Sequence, residues 1–424
     1  MDNQTIIQES LDYIEDNLQT EITAAELANA AGFSLFHYYR LFQQATGMPV
    51  MQYILRRRLL HGIYAIKQGK TKIDAALLYG FDTYAGFYKA FCREFGSTPS
   101  EFLQSSRAKR PYRIDITKEE HMTITHKKAA QILKHWNLEG ETIADIYYQG
   151  TGNKNESAFY VGETHVLKFT TNLGKLKKHI QVSKALESIG LLSAVPVPAT
   201  DGAEFIPDGE VYFYLTRRLH GEQMVSHQFA DGDGRFVGEI IGQLHLALRK
   251  IEDCVSEADL LATIRGWALP KAKVALNLSD AFCKEYLDTF TNLYPNLPRQ
   301  IIHRDPNPGN IICGDDQWGF IDFELAERNA RIYDPCYAAT AVLSETFGHS
   351  NGKWLRIYRD IICGYDSVAH LTDNERKAIP YILLANQFVC VAWFSEQDKY
   401  AEIFETNKRM TVWLIDQFEE LKDI

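Results

Sequence analysis

Apolar residues in the first hundred positions recur at helical spacing, in two consecutive units of the same design. TAAE at residues 23–26 and TKID at residues 71–74 each place a hydroxyl at a helix start and an acidic residue three positions on, which is a capping box. Each is followed by a short helix, a turn containing Gly32 or Gly80, and a longer helix. This arrangement predicts two helix-turn-helix units, joined by the basic helix YILRRRLLHGIYAIKQG.

The pattern changes to short alternating segments beyond residue 140. IADIYYQG, ESAFYVG and THVLKFT are β-rich and separated by glycine-containing turns, which predicts an antiparallel meander. A helical segment and the strand EVYFYLTRRL follow, and helical patterns then dominate. A small β-rich lobe before a large helical lobe is the layout of kinases. The sequence therefore predicts a multidomain protein: an all-α double helix-turn-helix domain, then an α+β bilobal protein-kinase-like domain.

The predicted boundaries follow these changes of pattern. Residues 1–106 form the DNA-binding domain, and the polar, poorly periodic residues 107–128 form a linker interrupted by Pro111. Residues 129–424 form the kinase-like domain, with a β-rich N-lobe at 129–222 and a helical C-lobe at 223–424.

Charge is distributed unevenly along the chain. The net charge is −10, yet residues 34–113 hold 13 Lys and Arg against 4 Asp and Glu. Residues 116–424 hold 32 basic and 43 acidic residues. A basic segment on an acidic protein fits one part that faces phosphates and another that does not, although an ordinary solvated basic face has the same composition.

Cysteines and apolar runs indicate the compartment. The 7 cysteines are scattered, without a CxxC pair or zinc-like spacing, and the N-terminus has no signal-peptide pattern. The longest apolar stretch, YILLANQFVCVAWF, is too short to span a bilayer. These features predict a cytoplasmic protein with no membrane partner.

The segment HRDPNPGN supplies candidate catalytic residues. Phosphoryl transfer needs a carboxylate that orients or deprotonates the attacking hydroxyl, and ligands for the metal that neutralises the phosphates. Asp305 is the candidate base, Asn310 a candidate metal ligand, and Asp322 at the end of the apolar run GFIDFE a second ligand. Candidates for covering or pairing the phosphates lie in the β-rich lobe: Gly150, Gly152, Asn153 and Lys168. No GxxxxGK[ST] occurs, so this is not a P-loop.

The N-terminal units closely resemble the AraC/XylS family of transcription regulators, over roughly residues 5–106. The likeness is carried by the YILRRRL run and by Ser34, His37, Arg40, Leu41, Phe42, Gly47, Gly80, Phe81, Tyr84, Phe87, Lys89, Phe91, Phe95, Gly96, Thr98, Pro99 and Phe102. At Gly62 we would expect a small helix-former, so the linker helix should be slightly softened.

Two recognition helices on one chain are expected to enter successive major-groove segments about 34 Å apart, so one molecule would bind a bipartite site in double-stranded DNA. Candidate base or phosphate contacts in the two helices are Leu35, Phe36, His37, Tyr39, Arg40, Thr83, Tyr84, Tyr88 and Lys89. Arg56, Arg57 and Arg58 are expected to contact phosphates and position the domain.

The C-terminal two-thirds resembles the aminoglycoside phosphotransferase/choline kinase-like family. HRDPNPGNI and IDFE correspond to its catalytic loop and metal-binding strand, RIYDPCYAAT (with Asp334) to the helix start that supports this loop, and IIGQLHLAL (with His245) to a structural helix. The resemblance implies ATP and Mg²⁺ as cofactors and a small hydroxyl compound as substrate. It departs from the family in the helix after Lys168, where a Glu partner is expected and the sequence has His179 or Gln181.

Three functional interpretations follow. The first is a sequence-specific transcription regulator whose kinase-like domain binds a nucleotide or small-molecule effector. The second is a bifunctional protein that is also an ATP- and Mg²⁺-dependent small-molecule O-phosphotransferase, with Asp305 as base. The third is a kinase whose helix-turn-helix domain serves only assembly. The substrate, the operator and the oligomeric state stay open at this point.

Overall fold

The computed structural model describes residues 3–104, 108–117, 122–147, 154–251, 255–314, 317–348, 351–397 and 400–422. The chain forms two compact units. The first consists of Met1–Asn172 and Pro196–Thr216, and the second of Leu173–Val195 and Arg217–Ile424.

The N-terminal part of the first unit is helical, and its helices begin and end where their capping residues predict. Thr23 closes a complete capping box with Glu26, and Gly47 and Gly96 take the left-handed conformation after the two long helices. The helices are α1 (Asn3–Asn17), α2 (Ala24–Ala30), α3 (Leu35–Thr46), α4 (Val50–Lys67), α5 (Lys72–Leu78), α6 (Tyr84–Phe95) and α7 (Pro99–Gln104). The predicted helix-turn-helix pairs are therefore α2–α3 and α5–α6.

Each helix-turn-helix pair has its own apolar core, and the linker helix α4 contributes to both. Tyr53 and Ile54 join the core around α1 to α3, whereas Leu59 and Ile63 join the core around α5 to α7. Because one helix is shared between two cores, the two pairs are held in one body.

The first part of the predicted linker packs against α1. Ile114 and Ile116 are each 5% exposed and belong to the first core. The Gln8 amide donates to the Ile114 carbonyl oxygen at 3.0 Å and accepts from the Ile116 N–H at 2.9 Å. The DNA-binding part therefore extends beyond residue 106 and closes on its own first helix.

The rest of the first unit is an antiparallel sheet, in the order β1-β2-β3-β6-β5, with α8 (His126–Leu133) beside β1. The core under this sheet includes Phe159, Phe169 and Phe213. The strands are β1 (Ile143–Tyr147), β2 (Lys154–Val161), β3 (His165–Thr170), β5 (Ile206–Asp208) and β6 (Val211–Arg217). The predicted β-rich lobe is thus present, with the strands close to their predicted positions.

The second unit is mainly helical, with two small sheets in the orders β4-β10-β9-β7 and β11-β8. Its helices are α9 (Leu173–Ser188), α10 (Asp233–Leu248), α11 (Leu260–Thr263), α12 (Leu269–Leu276), α13 (Asp280–Leu293), α14 (Tyr333–Thr346), α15 (Asn351–Val368), α16 (Asp373–Phe394) and α17 (Ala401–Asp416). Its strands are β4 (Leu192–Ser193), β7 (Glu222–Gln223), β8 (Arg299–Ile302), β9 (Ile311–Cys313), β10 (Trp318–Phe320) and β11 (Glu327–Ala330).

The core of the second unit is built from α10, α14, α15 and α16. Helix α16 is long and apolar enough, by composition alone, to cross a membrane, but 72% of its most apolar window is buried inside the protein. Its apolar residues pack against the neighbouring helices, for example Leu383 and Phe388 in the main core. The composition of α16 is therefore explained by its place in the helical core.

Candidate functional site

The candidate catalytic loop begins where β8 ends, and its backbone is fixed by one buried carboxylate. Asp334, on the first turn of α14, accepts hydrogen bonds from the backbone N–H groups of His303 at 2.8 Å and Arg304 at 3.0 Å. The Nε2 of His245 on α10 lies 2.9 Å from the same carboxylate, and Tyr365 on α15 bonds the other ring nitrogen at 2.8 Å. Three helices therefore hold the first residues of the loop.

The His303 side chain connects this loop to the next one. Its Nε2–H donates to the carbonyl oxygen of Ile321 at 3.0 Å, and its Nδ1 accepts from the Asp305 N–H at 3.3 Å. The Ile321 N–H in turn donates to the carbonyl oxygen of Asn310 at 3.0 Å. These bonds place the Asp305 loop beside the segment that carries Asp322.

The Asp305 carboxylate is held in a network of polar groups. Asn307 donates to Oδ1 at 2.8 Å, and the Asn310 amide donates to Oδ2 at 3.3 Å and to the Asp305 carbonyl oxygen at 2.9 Å. Burial raises the pKa of Asp305, and the nearby Asp322 carboxylate raises it further, against the opposing effect of hydrogen bonds from Asn307 and Tyr337. A carboxylate with a raised pKa is a better general base than an exposed one.

The predicted metal ligands fit a hard divalent cation. The two hydrogen bonds that the Asn310 side chain makes to Asp305 both use its amide nitrogen, so Oδ1 is the atom that a cation would take. Asp322 lies in the left-handed region, with φ +71°, at the turn after β10. Carboxylate and amide oxygens are the ligands that Mg²⁺ prefers, and in nucleotide sites phosphate oxygens complete the set. Among the described residues there is no cluster of three or more His, Cys, Asp or Glu that would form another metal site.

Lys168, the candidate that would pair with the nucleotide phosphates, lies in the first unit. Lys168 is on β3, opposite Ala158 of β2, and its Nζ is 5.7 Å from the centre of the Tyr214 ring. Gly150, Gly152 and Asn153 lie outside the described residues.

Helix α9 shows why a Glu is not found at the expected position. His179 is fully buried, where its Nε2–H donates to the Ala194 carbonyl oxygen at 3.1 Å and its Nδ1 accepts from the Phe323 N–H at 3.4 Å. Phe323 follows Asp322 directly. His179 therefore supports the turn that carries a candidate metal ligand, whereas Gln181 and Glu187 are exposed.

The recognition helices present exposed aromatic and basic side chains. Phe36 is 80% exposed, Leu35 46% and Tyr88 39%. The remaining candidates are also at least partly exposed: His37, Tyr39, Arg40, Thr83, Tyr84 and Lys89. Ser34 and Thr83 cap the two helices by accepting from the backbone N–H groups of His37 at 3.4 Å and Gly86 at 3.1 Å.

The arginines of the linker helix are engaged inside the domain, which corrects the prediction for Arg57. That side chain is 5% exposed, forms an ion pair with Glu15 and donates to the Tyr112 carbonyl oxygen, so it is not available to phosphate. Arg58 donates to the carbonyl oxygens of Leu18 and Thr20. Arg56 is paired with Glu94 at 2.8 Å but keeps 21% of its side chain exposed. Counting basic residues on a helix could not distinguish these roles, because burial depends on the packing partners.

Two groups around Asp305 were not singled out from the sequence. Asn307 lies inside the HRDPNPGN segment, and its position two residues after the base is the only signal for it. Tyr337 lies on α14, three residues after Asp334, and its phenol is close enough to Asp305 to lower the pKa of that carboxyl group. That contact depends on how α14 packs against the loop.

A fold with a β-rich lobe, a helical lobe and a loop that carries Asp305 and Asn310 before Asp322 defines a kinase-like phosphotransferase, here preceded by two helix-turn-helix units. Residues 151–368 match the model of the phosphotransferase enzyme family, and residues 27–105 match that of a helix-turn-helix domain. The chain belongs to the phosphotransferase enzyme family, and its N-terminal part is an AraC-type helix-turn-helix domain.

The curated relatives share the N-terminal part. The chain is 32% identical over 158 residues to the transcriptional regulator Rob of Salmonella typhimurium, which covers 35% of this chain and 55% of Rob. It is 35% identical over 102 residues to the transcriptional activator AarP of Providencia stuartii, which covers 24% of this chain and 76% of AarP. The chain spans about half the length of the first curated relatives that it matches.

Solved structures share the fold of the C-terminal part. A microcompartment-associated aminopropanol kinase superposes with a TM-score of 0.53 at 15% identity, covering 69% of this chain and 96% of the kinase. At this identity the likeness shows the fold alone. The predicted fold class, a double helix-turn-helix domain followed by an α+β kinase-like domain, is confirmed.

Proposed function

We propose that this chain is a sequence-specific, DNA-binding transcription regulator whose kinase-like domain binds a nucleotide or small-molecule effector. The observation that carries the proposal is the pair of capped helices, α3 and α6, with exposed Phe36, Arg40, Tyr88 and Lys89. Large aromatic and basic side chains held outward in the first two turns of a helix are suited to base edges and phosphates in the major groove. We further propose that it acts in the cytoplasm on a bipartite double-stranded site.

Arg40→Ala tests the DNA-binding part. The variant should lose affinity for specific DNA, by about tenfold or more if Arg40 contacts a base, because one good base contact contributes about 1 to 3 kcal/mol of discrimination. A gel-shift titration at fixed salt, on a promoter fragment first selected with the wild-type protein, measures this loss.

Arg409→Ala is the matched control, since it removes the same charge from an exposed site on α17. We expect the control to bind as the wild type does. Equal losses in the two variants would contradict the proposed role of Arg40, and failure of the wild-type protein to select any DNA would favour an assembly role for the helical domain.

The second candidate function is phosphoryl transfer from ATP to the hydroxyl of a small molecule. It is favoured by the Asp305 network, which keeps a carboxylate with a raised pKa beside Asn310 and Asp322. In this reaction Asp305 would accept the proton of the attacking hydroxyl, while Asn307 and Asn310 hold its carboxylate in place. Mg²⁺ held by Asn310 and Asp322 would supply positive charge to the phosphates.

A melting experiment with Mg·ATP tests whether either nucleotide-dependent function is possible. A ligand present at about 100 times its Kd stabilises the native state by about 2.7 kcal/mol, so the wild-type Tm should rise. Asp322→Ala should abolish the rise because it removes a metal ligand, whereas Asp305→Asn should keep it and abolish transfer to any substrate found. If Mg·ATP did not raise the Tm of the wild-type protein, this would count against a nucleotide site. The remaining function of the kinase-like domain would then be that of a small-molecule sensor.

A further inference from the structure

The connecting segment, residues 122–124, contacts the first recognition helix, α3, with its backbone. The Thr123 N–H donates to the carbonyl oxygen of Thr46 at 2.9 Å, and Thr46 is the last residue of α3. The last four carbonyl groups of a helix have no partner inside that helix, so the connecting segment supplies a donor that α3 itself lacks. Thr46 is fully buried. The C-terminal end of α3 is therefore covered by the connecting segment.

The side chains of the connecting segment belong to the core of the β-rich lobe. Ile124 is 8% exposed and is part of the core under the sheet, and Met122 packs against that core. Thr125 then begins α8 by accepting from the Lys128 N–H at 3.2 Å. The connecting segment thus touches α3 on one side and the core of the sheet on the other.

Ion pairs extend this connection to the strands. His126 on α8 lies 3.0 Å from Asp145 on β1, and Lys154 at the start of β2 pairs with the same carboxylate at 2.8 Å. The Asp145 side chain is 13% exposed. The end of α3 is therefore joined, through the connecting segment and the start of α8, to the first two strands of the sheet.

The turn after α3 is packed against the connecting segment, whereas the turn after the second recognition helix, α6, is open. Gly47 and Gly96 end the two helices in the same left-handed conformation, with φ +81° and φ +65°. A Cβ added at Gly47 would lie 2.6 Å from both the Thr123 carbonyl oxygen and the Met122 Sδ. One added at Gly96 would meet nothing within 4 Å among the residues that the structure describes. The two recognition helices end alike but in different surroundings.

Helix α6 belongs to a core that stays within the helical part. The described members of that core lie between Leu55 and Ala108. No hydrogen bond or ion pair of a described residue joins α6 to the sheet, and the Glu94 carboxylate of α6 pairs with Arg56 of α4 at 2.8 Å. Burial lowers the pKa of Lys154 on β2, and the nearby Arg56 lowers it further. Helix α6 is therefore linked to the sheet through α4, whereas α3 is bonded to the connecting segment directly.

We propose that the kinase-like part acts on DNA binding through the first recognition helix, α3, and not through α6. A ligand that shifts the β-rich lobe would change the affinity of α3 for its half of the bipartite site and leave the half contacted by α6 unchanged. This inference rests on the proposed DNA-binding function and adds the route of its regulation. Because coupling between two binding sites is reciprocal, DNA bound by α3 changes the β-rich lobe by the same coupling free energy. The route can therefore be tested from the DNA side, before any effector is known.

Hydrogen exchange of the full chain, followed by mass spectrometry, is the measurement. The probes are two duplexes made from the selected DNA site, each with one half scrambled and each used at a saturating concentration. The half that belongs to α3 is the one whose scrambling no longer costs affinity in Arg40→Ala. The duplex that keeps this half should slow amide exchange in residues 122–133 by about fivefold or more, which is the lower end of typical couplings between sites. The duplex that keeps only the α6 half should leave this exchange unchanged.

Three variants separate the proposed contact from general damage. Gly47→Ala adds a Cβ against the Thr123 backbone, so it should part the connecting segment from α3 and abolish the slowing while DNA stays bound. Gly96→Ala is the matched control, because it imposes the same left-handed strain without a neighbour, and it should keep the slowing. Met122→Ala removes the sulfur beside Gly47 without straining the backbone, and it should reduce the slowing even if Gly47→Ala does not fold.

Two kinds of outcome overturn the inference while the proposed function stands. In the first, the two duplexes slow exchange in residues 122–133 equally, or neither slows it. In the second, the slowing persists in both Gly47→Ala and Met122→Ala, which would mean that DNA shields the connecting segment directly. If no duplex binds the wild-type protein, the proposed DNA-binding function fails, and this inference fails with it.

Discussion

The candidate site contains two non-glycine residues in a backbone conformation that side chains rarely adopt, one in the loop after β8 and one at the turn after β10. Arg304 has φ +78° and Asp322 has φ +71°. Such a conformation costs about 1 kcal/mol or more and persists only where surrounding contacts enforce it. Arg304 is fixed by the Asp334 carboxylate on its N–H and by an ion pair with Glu327 at 3.1 Å. Strained residues held in this way cluster at functional sites, and both of these residues lie in the candidate site.

Removal of the Asp334 carboxylate should release this strain and unsettle the helical lobe. We expect Asp334→Ala to destabilise the second unit by about 3 to 5 kcal/mol, because it leaves His245 and two backbone N–H groups buried without an acceptor. Denaturation followed by tryptophan fluorescence measures this, since Trp136 alone among the 6 tryptophans lies outside the second unit.

Asp416→Asn, at an exposed position on α17, is the control and should unfold as the wild type does. An Asp334→Ala midpoint indistinguishable from that control would show that Asp334 does not support the loop.

Glu15 gives the DNA-binding part a stability that depends on pH. Burial alone would raise the pKa of Glu15, but hydrogen bonds from His61 and Arg57 outweigh it and lower the pKa to about 2. A depressed carboxyl pKa stabilises the fold above the unfolded-state pKa of about 4.5, and this contribution is lost as the pH falls toward 2. The shift corresponds to a contribution on the order of 3 kcal/mol.

Glu15→Gln should therefore be less stable than the wild type at pH 7, by about 3 kcal/mol, since it leaves Arg57 buried without a counter-ion. The difference should shrink between about pH 4.5 and pH 2, where the wild-type carboxylate is also lost. Urea unfolding at several pH values, followed by circular dichroism, measures this. A difference that stays constant over this range would exclude Glu15 as the titrating group.

At the scale of elements, helices α10 and α15 approach each other through glycines. A Cβ added at Gly238 would lie 2.0 Å from the Ile361 carbonyl oxygen, and one at Gly364 would lie 2.1 Å from that of Arg235. These are backbone atoms, which cannot move aside as a side chain can. The close approach of α10 to α15 positions His245, which bonds Asp334 and so helps to hold the candidate catalytic loop.

Gly238→Ala should therefore destabilise the helical lobe by about 3 kcal/mol, through overpacking against backbone. Gly352→Ala on α15 is the matched control, because an added Cβ there meets nothing within 4 Å. It should leave stability unchanged or raise it by up to about 1 kcal/mol through helix propensity. Thermal melting measures the Tm of both variants. Equal Tm values would mean that α10 and α15 can move apart without loss of stability, which would contradict the prediction.

The sequence predicted those elements whose signals are local. The capping boxes that begin at Thr23 and Thr71, with the apolar spacing, located the helix pairs α2–α3 and α5–α6, and alternation located β1 to β3. Short strands such as β4 and β7 were missed, because two residues carry no period and their pairing joins distant segments. Gly62 appeared to weaken α4, yet a Cβ there would lie 2.7 Å from the Phe87 ring, so it admits the second recognition helix.

In the candidate site too, the sequence predicted the features with local signals and missed those that depend on tertiary packing. Asp305, Asn310 and Asp322 follow from their spacing, and the structure brings them into one hydrogen-bonded neighbourhood. The burial of Arg57 and the contact of Tyr337 with Asp305 depend on tertiary packing. A single sequence contains no local signal for either.

At the scale of the whole molecule, the boundary between basic and acidic sequence coincides with the boundary between the helical DNA-binding part and the kinase-like part. The basic excess of residues 34–113 belongs to the helical DNA-binding part, and the acidic excess to the kinase-like remainder. An acidic body of the same sign as DNA lowers non-specific association outside the recognition helices. Binding by α3 and α6 would then be more selective than the basic segment alone would be.

The sheet order has a consequence for the time course of synthesis. Leu192 on β4 pairs with Gly319 on β10, which follows it by 127 positions. At translation rates of about 5 to 20 residues per second, β4 waits roughly 6 to 25 s for its partner to be made. The DNA-binding part, closed by Ile116, is complete long before that interval begins. On the ribosome, a finished DNA-binding domain therefore precedes a kinase-like lobe whose strand β4 is still unpaired, and that interval is when a chaperone would be needed.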